Sequence, residues 1–378
     1  MKIDKITLYH VRLKLRKPFE TSFGRLTTKD SLLIKLESNG IIGWGESPHL
    51  NLPVYTSEYL EGGKALLVKS ILPKIVGNSF DSPEDLIETY KYIKGNNISK
   101  AGVEMAFWDL LARKKQVPLY KLIGSKRNYS DIGISIGIEK DTNIILNKIS
   151  KAIDEGYKRI KVKIKPGKDI EVVRTIREKF PSIKLMVDAN SAYTQKDISH
   201  LKKLDKYNLL MIEQPLAEHD FVGHAKLQKV MKTPICLDES IHTLEDAKKA
   251  IRMNSCKIIN IKPTRVGGIK ETKKIHDFCK SNKIPVWIGG MLETTIGKKF
   301  LDQIATLPNF TLPGDNSSSD NYFEEDLVKE RRIQKKGQMV VDEKPGIGVV
   351  PDNKLLKKHL VEKIEIKKPF RWKNILRR

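Results

Sequence analysis

Cysteine is scarce: Cys236, Cys256 and Cys279 are the only three in 378 residues. An odd count without metal-like spacing excludes a disulfide-stapled scaffold and a thiolate metal centre. Cys236 falls in an apolar strand pattern, where a reduced thiol packs as a small hydrophobe. Long hydrophobic runs are missing as well, and none approaches the roughly 20 residues of a membrane span. The opening Met1-Lys-Ile-Asp-Lys-Ile-Thr-Leu-Tyr9 alternates like a strand and lacks a signal peptide's apolar core. The expected location is therefore the cytoplasm. Acidic residues are outnumbered, 46 against 70 lysines and arginines, for a net charge of +24. Outside the C-terminal stretch 367–378, no aromatic residues interleave with basic runs as in nucleic-acid-binding motifs. The lysines are dispersed through helical stretches such as 147–158 and 269–283. That pattern reads as a solvated basic surface whose field steers an anionic substrate. The one basic cluster, 367–378, carries Phe370 and Trp372 and reads as a tail without a specific role. The expected partner is a small anionic molecule, and a homo-oligomer is expected. Neither nucleic acid nor membrane is expected.

The chain is long enough for two domains, one of them large. In the first part, 3–15 and 31–37 alternate apolar and polar residues as antiparallel strands do, and helical patterns follow at 57–72, 82–92 and 99–113. From Ile132 the rhythm becomes strand–helix. Short strands apolar on both faces are expected at 133–138, 159–165, 184–188, 209–213, 234–238, 257–262 and 285–289, and a weak one at 310–313. The predicted fold is α/β: a (β/α)8-type barrel with an α+β capping domain built from the N-terminal region and the C-terminal tail. The expected boundaries are 1–125 for the cap, 126–320 for the barrel and 321–378 for a segment returning to the cap. Within that segment, 338–342 and 363–367 alternate and are both expected to fold onto the cap.

Asp188, Glu213 and Asp238 each follow the last by twenty-five residues, and each ends a short apolar run. The stride reaches back to Lys163 and, one residue short, forward to Lys262. A βα unit takes about that length, so a closed barrel gathers all five groups at its active mouth. Three oxygen donors without His or Cys favour Mg²⁺, with Mn²⁺ as the alternative. Any one of these acids alone is as well explained by a backbone amide bond; three in register are not. Asn190 and Glu239 are placed to orient the ligands, although a surface ion pair explains Glu239 equally well. Lys161, Lys163 and Lys165 share one strand face, and Lys165, beside Pro166-Gly167, reads as a solvated edge. A lysine near a metal and another cation has its pKa lowered toward the range of a general base. Lys163 and Lys262 can then face the two sides of one substrate carbon. His49 and His219 read as rim or structural residues.

The set Lys161-Val-Lys163, Asp188-Ala-Asn190, Glu213-Gln-Pro215, Asp238-Glu-Ser240 and Lys262-Pro-Thr-Arg-Val-Gly-Gly268 resembles the enolase superfamily, muconate lactonizing enzyme subgroup. Phe19-Glu-Thr-Ser-Phe-Gly24, Gly43-Trp-Gly-Glu46 and Ala106-Phe-Trp-Asp109 resemble its capping domain. Gly289-Gly-Met-Leu-Glu-Thr294 and Leu312-Pro-Gly-Asp315 resemble the o-succinylbenzoate synthase/N-succinylamino acid racemase family.

That resemblance implies that Asp188, Glu213 and Asp238 bind Mg²⁺ and that an enediolate forms next to a substrate carboxylate. Lys163 is then the base, Lys262 the opposite lysine, and Lys161 a carboxylate-holding group. Ser135, Asn190, Arg265, Gly290, Met291, Glu293, Phe19 and Leu50 are the implied substrate contacts. Dehydration to o-succinylbenzoate for menaquinone synthesis and racemisation of N-succinyl amino acids both fit. Arg265 resembles a residue associated with the racemases. Gly289-Gly-Met-Leu-Glu293 replaces the Asp-x-Asp of the dipeptide epimerases. Thr295, Lys298 and 320–323 depart from the family pattern at the pocket rim or in packing. A basic nucleic-acid-binding protein on a dead barrel is the non-enzyme reading, which the intact lysines and carboxylates oppose.

Overall fold

The computed structural model describes residues 1–21, 24–330 and 332–367. Residues 22 and 23 of the 19–24 motif, and the Phe370 and Trp372 of the tail, lie outside the described residues.

Two long strands, Lys5–Thr21 and Gly24–Ser38, form a hairpin that continues into Ile41–Ser47. The late strand Leu360–Ile366 adds to the other edge, giving an all-antiparallel four-stranded sheet. Helix Asn97–Lys114 lies on this sheet with Val103, Phe107 and Leu110 buried against Ile6, Leu8, Ile34 and Leu36. The approach is close enough to require glycine. A Cβ on Gly45 would stand 2.0 Å from the Gly102 carbonyl oxygen.

The barrel strands are Gly133–Ile136, Arg159–Lys163, Leu185–Asp188, Ile212–Glu213, Ile235–Leu237, Ile258–Ile261 and Val286–Ile288, parallel and in sequential order. The eighth position is filled differently from the expectation. Residues 310–314 form no regular strand, yet Phe310 bridges Val286 and Gly314 bridges Ile132. The segment thus touches both edges of the seven-stranded sheet. Pro313 and Gly314 explain its irregularity, since neither supports an ordinary ladder position. Inside the barrel a layer of Met186, Met211, Cys236, Ile258 and Trp287 fills the centre. All three thiols are buried and free.

The expectation for 338–342 is corrected. Gln338–Val340 pairs with Tyr129–Asp131 and Ile333–Lys335 in a small three-stranded sheet, not with the cap. Three residues carry too little pattern to name a partner strand.

Cap and barrel are joined by buried carboxylates that bond main-chain amides at helix starts. Glu46 accepts from the amides of Thr294 (3.0 Å) and Gly297 (2.8 Å) at the start of helix Thr295–Ile304. Glu104 accepts from the Lys270 amide at 2.9 Å in the first turn of helix Ile269–Ser281, and from Trp108 Nε1 at 3.0 Å. Gly268 leaves room for this carboxylate: a Cβ there would lie 1.4 Å from Glu104 Oε2.

Burial, outweighing these bonds, pushes the Glu104 carboxyl up to about 7. Its unfolded value is near 4.5, so folding takes up a proton between those pH values. Stability is unaffected below pH ~4.5 and lost progressively as pH rises through ~7, by about 3 kcal/mol in all. In Glu104→Gln that contribution is gone. The thermal midpoint of the variant relative to wild type is expected to rise between pH 5 and pH 8. A difference that stays constant or falls over that range would refute the assignment.

Candidate active site

The strand register aligns the chemistry. Lys163 pairs with Asp188, Asp188 with Glu213, and Glu213 with Cys236, so Asp238 follows two residues on. All three acids are buried at the C-terminal ends of neighbouring strands. The chain leaves these strands abruptly: Asn190, Ser191 and Gln214 take left-handed backbone conformations. For Gln214 that geometry is uncommon and stores strain, a feature that concentrates at functional sites. Gln214 repays it by accepting from the Asp238 amide at 2.9 Å, fixing the next acid.

Each acid is held by a cation. Lys163 Nζ donates to Asp188 Oδ2 and Asn190 Oδ1, both at 2.6 Å. Lys262 Nζ donates to Asp238 Oδ2 at 2.8 Å, and Arg265 pairs with Asp238 Oδ1. Lys161 Nζ donates to Glu213 Oε2 at 3.0 Å and lies 3.5 Å from Asp188 Oδ2. Asn260 donates to Glu213 Oε1 at 2.8 Å. Behind the ligands, Asn190 donates to Glu239 Oε1 at 2.8 Å.

Charge crowding sets the protonation. Burial, then Asp188 and Asp238, push Glu213 well above the usual carboxylate range. Burial followed by Asp238 and Asp188 pushes Glu239 up to about 8. For Asp238 burial works upward, but Arg265 and Lys262 outweigh it and hold the group below its ordinary value. Burial lowers Lys262, yet Asp238 and Tyr55 outweigh it, so this lysine is raised and held cationic.

A divalent cation fits this donor set. The charge of Asp188 raises the Glu213 carboxyl, and that of Asp238 works upward on both. Crowded carboxylates resolve their repulsion by sharing a proton or a cation. Among the described residues no three such side chains already surround one point. Asp188 and Asp238 are turned toward lysine and arginine instead.

The cavity above these groups is lined by Lys161, Lys163, Asn190, Lys262, Ser135, Gly290, Met291 and Lys298, and from the cap by Phe19, Leu26, Leu50 and Tyr55. Phe19, Leu50 and Tyr55 therefore stand at the barrel mouth. Two expected substrate contacts lie behind the wall. Arg265 is buried against Asp238, the Tyr55 hydroxyl (3.0 Å) and the Ile241 carbonyl (2.9 Å). Glu293 accepts from the Met291 amide at 2.7 Å and pairs with Lys298 at 3.2 Å. His49 is buried and bonded to Ser99 at 3.1 Å, while His219 is exposed.

Sequence reasoning assigned no role to three residues here. The Tyr55 hydroxyl accepts from Lys262 at 2.7 Å and donates to Asp238 Oδ2 at 3.2 Å. Asp315 accepts from Lys161, from Arg159 at 2.7 Å and from Ser135 at 3.1 Å. Lys298 is the third. Asp315 ends the Leu312-Pro-Gly-Asp315 motif, which carried the signal.

A two-domain barrel with lysines and acids at strand ends beneath a capping domain defines an enzyme of α-proton chemistry. Residues 145–355 match the family described as enolase C-terminal domain-like. Residues 3–124 match the mandelate racemase/muconate lactonizing enzyme N-terminal domain. The chain belongs to this family, within the enolase superfamily. It is 44% identical to the o-succinylbenzoate synthase of Bacillus subtilis, covering 96% of this chain and 98% of that protein. It is likewise 44% identical to the N-succinylamino acid racemase of Thermus thermophilus, over 92% and 95%. A solved enolase-superfamily member from Listeria innocua superposes with a TM-score of 0.93 at 41% identity, covering 97% and 99%. No helix among the described residues is long and apolar enough to cross a membrane.

Proposed function

We propose that the protein is a Mg²⁺-dependent o-succinylbenzoate synthase of menaquinone biosynthesis. Its reaction is the syn-dehydration of 2-succinyl-6-hydroxy-2,4-cyclohexadiene-1-carboxylate. One observation carries this reading: Lys163 and Lys262 line the same cavity from different strands, with Asp188, Glu213 and Asp238 at the strand ends between them. Asp188, Glu213 and Asp238 would hold the Mg²⁺, which when bound grips the substrate carboxylate and stabilises negative charge on it.

Lys163, as the neutral amine, takes the proton from the carbon beside the carboxylate, leaving an enediolate. The C–O bond to the ring hydroxyl then breaks. The ammonium of Lys163 returns its proton to the departing oxygen, so water leaves and the ring becomes aromatic. Lys262 stays cationic beside the enediolate, as its close contact with Asp238 favours. Cap residues Phe19, Leu50 and Tyr55 exclude water from the mouth.

The second reading, N-succinylamino acid racemase, is supported by the position of Lys262 on the cavity wall. Lys163 would remove the α-proton from one face and Lys262 would supply one to the other.

Purified protein with Mg²⁺ should be assayed on the cyclohexadiene precursor and on N-succinyl amino acids side by side. Turnover of the precursor supports the synthase; turnover of neither refutes both readings. Chelation is expected to lower turnover by on the order of 10³-fold or more. Added Mg²⁺ should restore activity and raise the thermal midpoint of the apoprotein.

A further inference from the structure

Four lysines line the cavity: Lys161, Lys163, Lys262 and Lys298. The first three are bound to Asp188, Glu213 or Asp238. Lys298 is not. It rises from helix Thr295–Ile304, whose start is fixed by Glu46 of the cap. Its side chain is almost wholly buried, with a relative exposure of 2%. Its ammonium donates to the main-chain oxygen of Asp315 at 3.0 Å and pairs with Glu293 Oε2 at 3.2 Å. An ammonium has three donors, so these partners leave one for a ligand in the cavity that Lys298 lines.

The local backbone is shaped around this group. A Cβ on Gly290 would fall 2.7 Å from Lys298 Nζ and 3.0 Å from Glu293 Oε2. Glycine here lets the ammonium reach the wall of the cavity. Asp315 stands between two cations. Its carboxylate holds Lys161 and its carbonyl holds Lys298. Lys161 belongs to the end of the cavity where the reacting carboxylate is activated. Lys298 is a second, separate positive group beside it. Burying such a charge costs several kcal/mol unless it is paired, and packing alone would be served by an apolar side chain.

We propose that Lys298 is the anchor for the remote carboxylate of the succinyl arm, making the cavity a site for dianionic substrates. The assignment rests on the proposed function, whose substrates all carry a carboxylate at the far end of a four-carbon acyl arm. Glu293 then acts as a positioning residue. It holds the ammonium in place and is itself held by the Met291 amide at 2.7 Å.

The test compares binding of two probes to the Mg²⁺-loaded protein. One is o-succinylbenzoate; the other is 2-butyrylbenzoate, in which the tail carboxylate is replaced by methyl. Wild type is expected to prefer the dicarboxylate by on the order of 10- to 100-fold, the usual range for a charge-assisted contact. Lys298→Met should reduce that preference to within about threefold, and Lys298→Arg should keep most of it. Because Lys298→Met leaves Glu293 buried without its partner, the double variant Lys298→Met/Glu293→Gln is measured alongside it. In turnover, the loss should appear in KM for N-succinyl relative to N-acetyl amino acids more than in kcat. A protein that binds both probes equally, or keeps its preference without the Lys298 charge, overturns the assignment of Lys298 alone. A wild-type protein that binds neither probe overturns the proposed function as well.

Discussion

Lys163→Ala is expected to lower kcat for dehydration and for racemisation alike by on the order of 10⁴-fold, the upper range for loss of a positioned general base. The two activities fall together because the same nitrogen removes the α-proton in both. Lys163 is built for the role. It ends strand Arg159–Lys163, lines the cavity and is aimed by Asp188 and Asn190 at 2.6 Å. Its neighbours are poor substitutes. Lys161 is bound by Asp315 and Glu213 and sits 3.5 Å from Asp188; burial works against its charge, but these acids outweigh it and hold its pKa above the ordinary value. Lys165 lies outside the cavity lining, 3.8 Å from Glu20. The measurement is steady-state turnover on both substrates, with circular dichroism to confirm folding. Residual activity above about a tenth of wild type would remove Lys163 from the role.

The barrel half of this site is legible in the sequence for a geometric reason. Each βα unit returns the chain to the same face after a similar length, so a constant stride of ionisable residues becomes a ring of side chains. Register pairs Lys163 with Asp188 and Asp188 with Glu213, the pairing that the stride implies. Legibility ends where the regularity ends. After Lys262 the ring closes through Phe310 and Gly314, which make only isolated bridges, so Asp315 falls on no stride. Tyr55 is invisible for another reason: it reaches Lys262 from the cap, across 207 residues of chain. Lys298 was left between the pocket rim and packing, because a helical position does not reveal that its tip passes Gly290 into a cavity. The placement of 338–342 failed because a strand of three residues matches many partners.

Lys262→Arg should separate the two lysines. Arginine keeps a positive charge opposite Asp238 and stays protonated at any working pH, so it stabilises an enediolate without exchanging its proton. Racemisation is expected to fall by on the order of 10³-fold or more, since one of its two proton transfers is lost. Dehydration should fall less, because there Lys262 only faces developing negative charge, a contribution of several kcal/mol that a guanidinium partly supplies. Lys262→Ala removes that charge and one of the two cations paired with Asp238, so it should damage both reactions. The discriminating measurement uses single enantiomers of an N-succinyl amino acid in D₂O. In Lys262→Arg, the enantiomer whose α-proton faces Lys163 should exchange it for deuterium without inverting. The other enantiomer should be inert. The asymmetry follows from position: Lys163 and Lys262 reach the cavity from strands four places apart in the sheet, and each can address only the face toward it. A variant that racemised at the wild-type rate would show that Lys262 is not the second base.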